Sequence, residues 1–190
     1  MKRMTPKQID QKIQDLKSER GTFETHWQEL TDYILPRKNT ITTTRYPGEK
    51  RNIQILDNVG MHSNELLAGA LHSMLTNPDS LWFEMTTGNL SIDQKDNIRM
   101  WMQKTVRSMH NVLANTNFHT EVHELDLDLG CVGTACMLME EVPGSEVVRF
   151  QTNFIEEYYI DEDYLGRVNQ VYKACRYTTA QIVEKFGIIS

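Results

Sequence analysis

The stretch from Ile55 to Met85, ILDNVGMHSNELLAGALHSMLTNPDSLWFEM, constrains the fold of this chain more than any other. It reads as a long helix loaded with small residues. Asn77-Pro78 stops it, because the residue before a proline is pushed out of the α region. A short strand from Trp82 to Thr87 follows. Leu56, Val59, Ser63, Leu67, Ala70, Leu71, Met74 and Leu75 fall on one helical face. Gly60, Ser63, Ala68, Gly69, Ala70 and Ser73 would let another backbone approach closely. Trp82 and Phe83 are expected as core residues pinned against this helix.

Upstream, Thr5-Pro6-Lys7-Gln8 has the chemistry of a helix start, with threonine as the cap, proline at the first position and glutamine at the third. Apolar residues then recur at Ile9, Ile13, Leu16, Phe23, Trp27, Leu30 and Ile34, and only Arg20 breaks the rhythm. This predicts one helix of about 43 Å that ends before Pro36. Residues 36 to 54 hold two prolines, a glycine and a threonine run, the pattern of a long loop or mobile hairpin.

Ser91 with Gln94 predicts a further capped helix that uses Ile98, Trp101, Met102, Val106, Met109, Val112 and Leu113 and fades at Asn115-Thr116-Asn117. A last long helix places Phe118, Val122, Leu125, Leu129 and Val132 in step. Leu125 to Leu129 also alternates like a strand, but the longer stripe favours helix. Beyond Gly133 the segments Thr134–Val142, Glu146–Thr152, Glu156–Ile160 and Arg167–Tyr177 read as antiparallel strands of one small sheet. Asp161 to Gly166 forms a turn between two of them. Thr178 and Gln181 cap a final short helix ending at Gly187. The expected class is α+β: N-terminal long helices packed with a small antiparallel sheet.

At 190 residues, 39% apolar and 24% charged, the chain has a globular composition with room for one or at most two domains. MKRMTPKQIDQ lacks the apolar core of a secretory signal, and the longest mainly apolar run, Cys131–Met139, is far short of the ~20 residues of a membrane helix. A protein made in the cytoplasm is expected. Cys131, Cys136 and Cys175, odd in number, are expected as free thiols, with no second ligand pair to complete a zinc knuckle.

His119 and His123 lie four apart and could contribute to a zinc site, but the glutamate that a zinc protease needs immediately after the first histidine is missing. Asp161-x-Asp163-x-x-Gly166 begins like a calcium loop, yet Leu165 and Tyr172 stand where oxygen ligands are required. Neither a phosphate loop nor a nucleophile elbow is present. No enzyme activity, cofactor or metal is expected.

The net charge of -6 conceals segregation. Arg37, Lys38, Arg45, Lys50 and Arg51 cluster against Glu49 alone, and are candidates for contact with phosphate or a partner. From Glu121 to Asp163 acidic residues dominate and Arg149 is the sole arginine or lysine. One segment could touch nucleic acid and the other would repel it.

Taken in order, these segments resemble the N-terminal part of the head-to-tail connector (portal) proteins of T7-like short-tailed bacteriophages. The most recognisable block is the small-residue helix with Leu67-Ala68, Leu71, Leu75 and Pro78, followed by Trp82-Phe83. Arg20, Phe23, Trp27, Leu30, Tyr33, Ile34, Leu35 and Pro36 resemble the family's opening segment. Phe118, Glu121, Leu125, Gly130, Gly133, Thr134 and Met137 resemble its helix-glycine-strand passage. Val148-Arg149-Phe150 and Tyr158 to Val168 resemble a strand pair around an acidic turn. Trp27, Pro36, Leu67, Leu71, Pro78, Trp82, Phe83, Gly130 and Gly133 are the positions that the resemblance marks as motif or core.

The resemblance implies a structural virion protein. Portal proteins form a dodecameric ring at one capsid vertex, through which double-stranded DNA is packaged and ejected and to which the tail attaches. The implied partners are further copies of the chain, capsid and scaffold, terminase, tail adaptor proteins and DNA bound non-specifically, with no membrane. The implied setting is the virion, with the host cytoplasm during assembly. Family members are more than twice this length, and stem, clip and crown follow the region matched here. Residues 1–190 are therefore expected as one wing-like domain, mainly helical over 1–132 and mainly β over 133–190 with a short terminal helix. The competing reading is a nucleic-acid-binding or other phage assembly module using the basic 37–51 loop. A pI of about 5.5 argues against it.

Overall fold

Proline at a first helical position costs no hydrogen bond, and Gln8 Oε1 accepts the Thr5 backbone N–H at 2.9 Å. A helix therefore starts at this point. In the computed structural model, which describes residues 4–44, 46, 48–50, 55–142 and 148–187, that helix is α1 (Pro6–Ile34), 29 residues long and unbroken at Gly21. Pro36–Lys38 makes a single 3-10 turn after it. Then come α2 (Val59–Leu75), the one-turn α3 (Leu90–Asp93), α4 (Asp96–Ala114) and α5 (Phe118–Val132). Strands β1 (Cys136–Glu141), β2 (Val148–Asn153), β3 (Tyr158–Glu162) and β4 (Val168–Lys173) precede α6 (Thr179–Phe186). The α+β expectation holds, and Leu125–Leu129 is helical as the longer stripe required.

The chain divides into two compact units, which cut across the helical and β halves read from the sequence. One consists of residues 1–60 and 153–190, the other of 61–152. In the first unit, Arg20 is the principal tie. Its Nη1 donates to the carbonyls of Ile155 at 2.9 Å and Tyr158 at 2.8 Å, both more than 130 residues away. Glu24, one turn on, holds the same guanidinium at 2.8 Å, which lies 4.2 Å from the centre of the Tyr159 ring. Arg20 thus replaces an apolar contact with a planar fork that satisfies two carbonyls at the start of β3. Around it Leu16, Leu35, Phe154, Ile155 and Tyr158 are buried. β3 and β4 pair antiparallel, Tyr158 opposite Lys173 and Ile160 opposite Val171, with a register shift after Asp161.

In the second unit α5 is the central element, with Val122, Asp126, Leu127, Asp128, Cys131 and Val132 buried. Asn64 of α2 is buried and its Nδ2 donates to the Leu127 carbonyl at 3.1 Å. A Cβ on Gly130 would collide with the Asn64 side chain. The glycine is therefore what lets α2 and α5 approach this closely. Gly133 ends α5 in the left-handed region at φ 74°, and its N–H closes on the Leu129 carbonyl at 3.0 Å.

Several expectations are corrected. α2 begins at Val59, not Ile55, and its inward face carries Asn64 and Ala68, while Val59, Leu66, Leu67, Met74 and Leu75 are exposed. Much of the apolar face of this helix is left exposed, so hydrophobicity alone does not select the packed side. The Asn64 hydrogen bond and the fit of fully buried Ala68 select it instead. Gly69 has open space where a Cβ would go, so the close approach is not made there. Residues 82–87 form no strand. Their polar groups are fastened by Asp93, whose carboxylate accepts the Thr87 N–H at 3.0 Å and the Thr86 and Thr87 hydroxyls at 2.6 Å.

The next helix starts at Asn89, whose side chain accepts the Ser91 N–H at 3.1 Å, and not at Ser91; it breaks into α3 and α4. The four strands make two separate two-stranded sheets, β1 with β2 and β3 with β4, not one. Arg45, Arg51 and the expected strand start at Glu146 lie outside the described residues.

Two stability outcomes follow. Arg20→Met should lower the unfolding free energy by about 2–3 kcal/mol in chemical denaturation, because two carbonyls lose a charged donor, and Arg20→Lys should recover little of it. Gly130→Ala should cost about 1–3 kcal/mol through overpacking, and Asn64→Ala should be less costly in the Gly130→Ala background than in the parent.

Candidate assembly and phosphate-contact residues

The described basic residues of the 37–51 segment sit on a pinned base. Gln28, buried in α1, donates from Nε2 to the Asn39 carbonyl at 3.0 Å and accepts the Thr42 N–H at 2.9 Å. Asn39, also buried, donates to Asp32 at 2.9 Å, and the Thr40 hydroxyl donates to Glu156 at 2.7 Å. Residues 39–42 are therefore tied down, contrary to a loop mobile along its whole length. Lys38 Nζ lies 5.3 Å from the centre of the Phe154 ring, a cation-π distance. Arg37 and Lys50 are exposed. The structure thus places Arg37 and Lys38 on a rigid turn at the end of α1 and Lys50 at the surface.

The motif positions have mixed roles. Trp27 is half-buried and stacks on Phe23 with centroids 5.7 Å apart. Pro36 opens the 3-10 turn next to buried Leu35. Gly130 and Gly133 have the backbone roles already described, and Leu71 is half-buried. Leu67 and Pro78 are exposed, not core. Trp82 and Phe83 are half-buried, and their rings meet Phe118 of α5 and His110 of α4.

Trp82 packs edge-on against Phe83 at 4.8 Å and parallel to Phe118 at 6.0 Å. Phe118 contacts Phe150 at 5.1 Å, and Phe83 stacks on His110 at 6.4 Å. Asn117 clamps β2 beside this cluster, donating to the Phe150 carbonyl at 2.7 Å and accepting its N–H at 3.0 Å. Glu121 accepts the Thr152 N–H at 2.6 Å. Neither polar clamp was read from the sequence, where Asn117 stood at a fading helix end and Glu121 in the acidic segment and the family-like passage.

The structure also gathers histidines that the sequence leaves apart. His72 of α2 lies 5.4 Å from His119 and 6.2 Å from His123, ring centre to ring centre, and His123 faces Glu65 at 3.7 Å. Among the described residues no group of three or more His, Cys, Asp or Glu is placed to hold a metal ion. Burial, then the nearby His72 and His110, push the His119 pKa down. Burial pushes the Asp126 carboxyl up, against the pull of His72 and His123.

A lowered histidine pKa means that the unfolded chain takes up the proton first. The contribution of His119 is therefore complete above about pH 6.5 and is lost as the pH falls below it. Asp126 acts oppositely, favouring the fold as it protonates. His119→Gln should accordingly shrink the loss of melting temperature between neutral pH and about pH 5.5, measured against the parent.

These features describe a structural module: polar clamps, a basic turn and large exposed apolar side chains. The chain belongs to the family described as bacteriophage head to tail connecting protein, which it matches over residues 6–189. It is 33% identical over 174 residues to a probable portal protein of Bordetella phage BPP-1, covering 90% of this chain and 31% of that protein. It is 28% identical over 177 residues to the portal protein of Salmonella phage epsilon15, covering 93% of this chain and 32% of the relative. The chain thus spans about a third of the length of these relatives.

Proposed function

We propose that this chain is the N-terminal, wing-like part of a portal, a virion component with a structural and not a catalytic role. It contributes to the dodecameric ring at one capsid vertex, through which double-stranded DNA passes under the action of terminase. Capsid, scaffold and tail adaptor proteins are its further partners. The observation that carries this reading is the family match across nearly all of the sequence, extended by two portal relatives. An amber mutation in the gene should yield heads without packaged DNA and without tails. Filled heads would overturn the reading.

Within it, Arg37, Lys38 and Lys50 contact DNA phosphates without reading sequence, as do Arg45 and Arg51. The basic turn anchored by Gln28 and Asn39 supports this assignment, since a fixed base lowers the ordering cost of each contact. Replacing Arg37, Lys38 and Lys50 by glutamate should weaken duplex binding equally for unrelated sequences. The slope of log affinity against log salt should fall by about one per lost contact. An unchanged slope would remove these residues from the DNA path.

A further inference from the structure

In the second unit, α4 and residues 81–86 line an open cavity of about 490 Å³, whose apolar side chains are Leu81, Phe83, Met85, Met102 and Val106. Arg99, Gln103 and Arg107 line one wall at successive turns of α4, and Glu84 and Asp93 also contribute. Half of this charge is already committed. Arg99 pairs with Asp96 at 2.9 Å, and Asp93 is occupied by Thr86 and Thr87. Arg107 makes no hydrogen bond or ion pair with any described residue. A cavity of mixed polar and apolar lining is thus left open, with Arg107 its uncommitted cation and Glu84 its uncommitted acid.

The first unit carries a projecting apolar pair. At the tip of the β3–β4 hairpin, Tyr164 is 94% and Leu165 56% exposed. The tip is nevertheless rigid: Asp163 Oδ1 accepts the Leu165 N–H at 2.9 Å and the Arg167 N–H at 3.0 Å, and Gly166 takes φ 70°. Asp161 is held by Lys12 at 2.8 Å. Glu162, exposed, has no hydrogen bond or ion pair with a described residue. A preformed aromatic knob beside one uncommitted acid costs little entropy to dock.

We infer that the β3–β4 tip of one copy seats Tyr164 and Leu165 in the α4 cavity of a second copy, with Glu162 facing Arg107. This rests on the ring reading and specifies one of its contacts. A closed ring needs two different, mutually complementary surfaces on every copy, a heterologous contact. Here each copy carries both, one on each unit. The tip also turns part of the acidic segment from a source of repulsion between copies into an attraction. One knob in one cavity is smaller than the ~1,200 Å² of a stable interface, so this contact alone holds copies weakly.

The test uses the full 190-residue chain with Tyr164→p-benzoylphenylalanine, in a mixture of isotopically light and heavy copies. Irradiation should give mixed-isotope dimers joined from position 164 to residues 81–86 or 99–107. Arg107→Glu should lower their yield by about tenfold, and adding Glu162→Arg should restore it, which also shows that the charge variants are folded. Cross-links at other surfaces, no link between copies, or a yield indifferent to Arg107→Glu would overturn the contact. Sedimentation of the same samples separates the two readings. Association with links elsewhere sinks this contact alone. No association, together with filled heads in the amber mutant, sinks the ring reading as well.

Discussion

The first unit depends on one guanidinium. Arg20 interrupts an otherwise apolar stripe and would be a poor choice for simple packing. Its planar donors nevertheless reach two carbonyls where the chain passes from a 3-10 turn at Ile155–Glu157 into β3, and Glu24 with the Tyr159 ring hold it in place. A buried carbonyl without a partner costs about as much as several buried methylenes contribute, so this charged tie fixes the position of β3 along α1. Apolar contacts alone would tolerate sliding. The carbonyl pair does not.

The second unit solves the same problem with a missing atom. α2 has a broad apolar face, much of which stays exposed, so hydrophobicity alone does not say how to rotate it against α5. Gly130 removes the Cβ that would meet Asn64, and Asn64 then reaches the Leu127 carbonyl. Register and rotation are set together, by a polar group and a gap. The same unit carries a central helix that buries Asp126 and Asp128, and one histidine, His119, whose protonation opposes the fold.

Much of this was legible in the sequence. The ends of α1, α4, α5 and α6 follow from Thr5-Pro6, Asn115, Gly133 and Thr178, each of which has a local reason to start or stop a helix. The Asp161–Gly166 turn follows from its own side-chain chemistry. Illegible were the features set by distant partners. Trp82-Phe83 has strand composition, but no strand lies alongside it, and Asp93 satisfies its end instead. The face of α2 depended on Gly130, 66 positions after Asn64 by residue number. Arg20 looked like an interruption because its acceptors lie beyond residue 150. The basic cluster was legible as composition, while its pinning by Gln28 and Asn39 was not.

Because the first unit is assembled from the two ends of this sequence, its completion is tied to the order of synthesis. Residues 61–152 can collapse as one continuous piece while the ribosome is still extending the chain. α1 precedes that piece yet must wait for Ile155 and Tyr158 before Arg20 finds its acceptors, across a loop whose closure is entropically slow. Nascent chains are therefore held incomplete in the part that carries both the basic turn and the hairpin tip. Neither surface is finished until the intervening unit has been made and translation has passed β4.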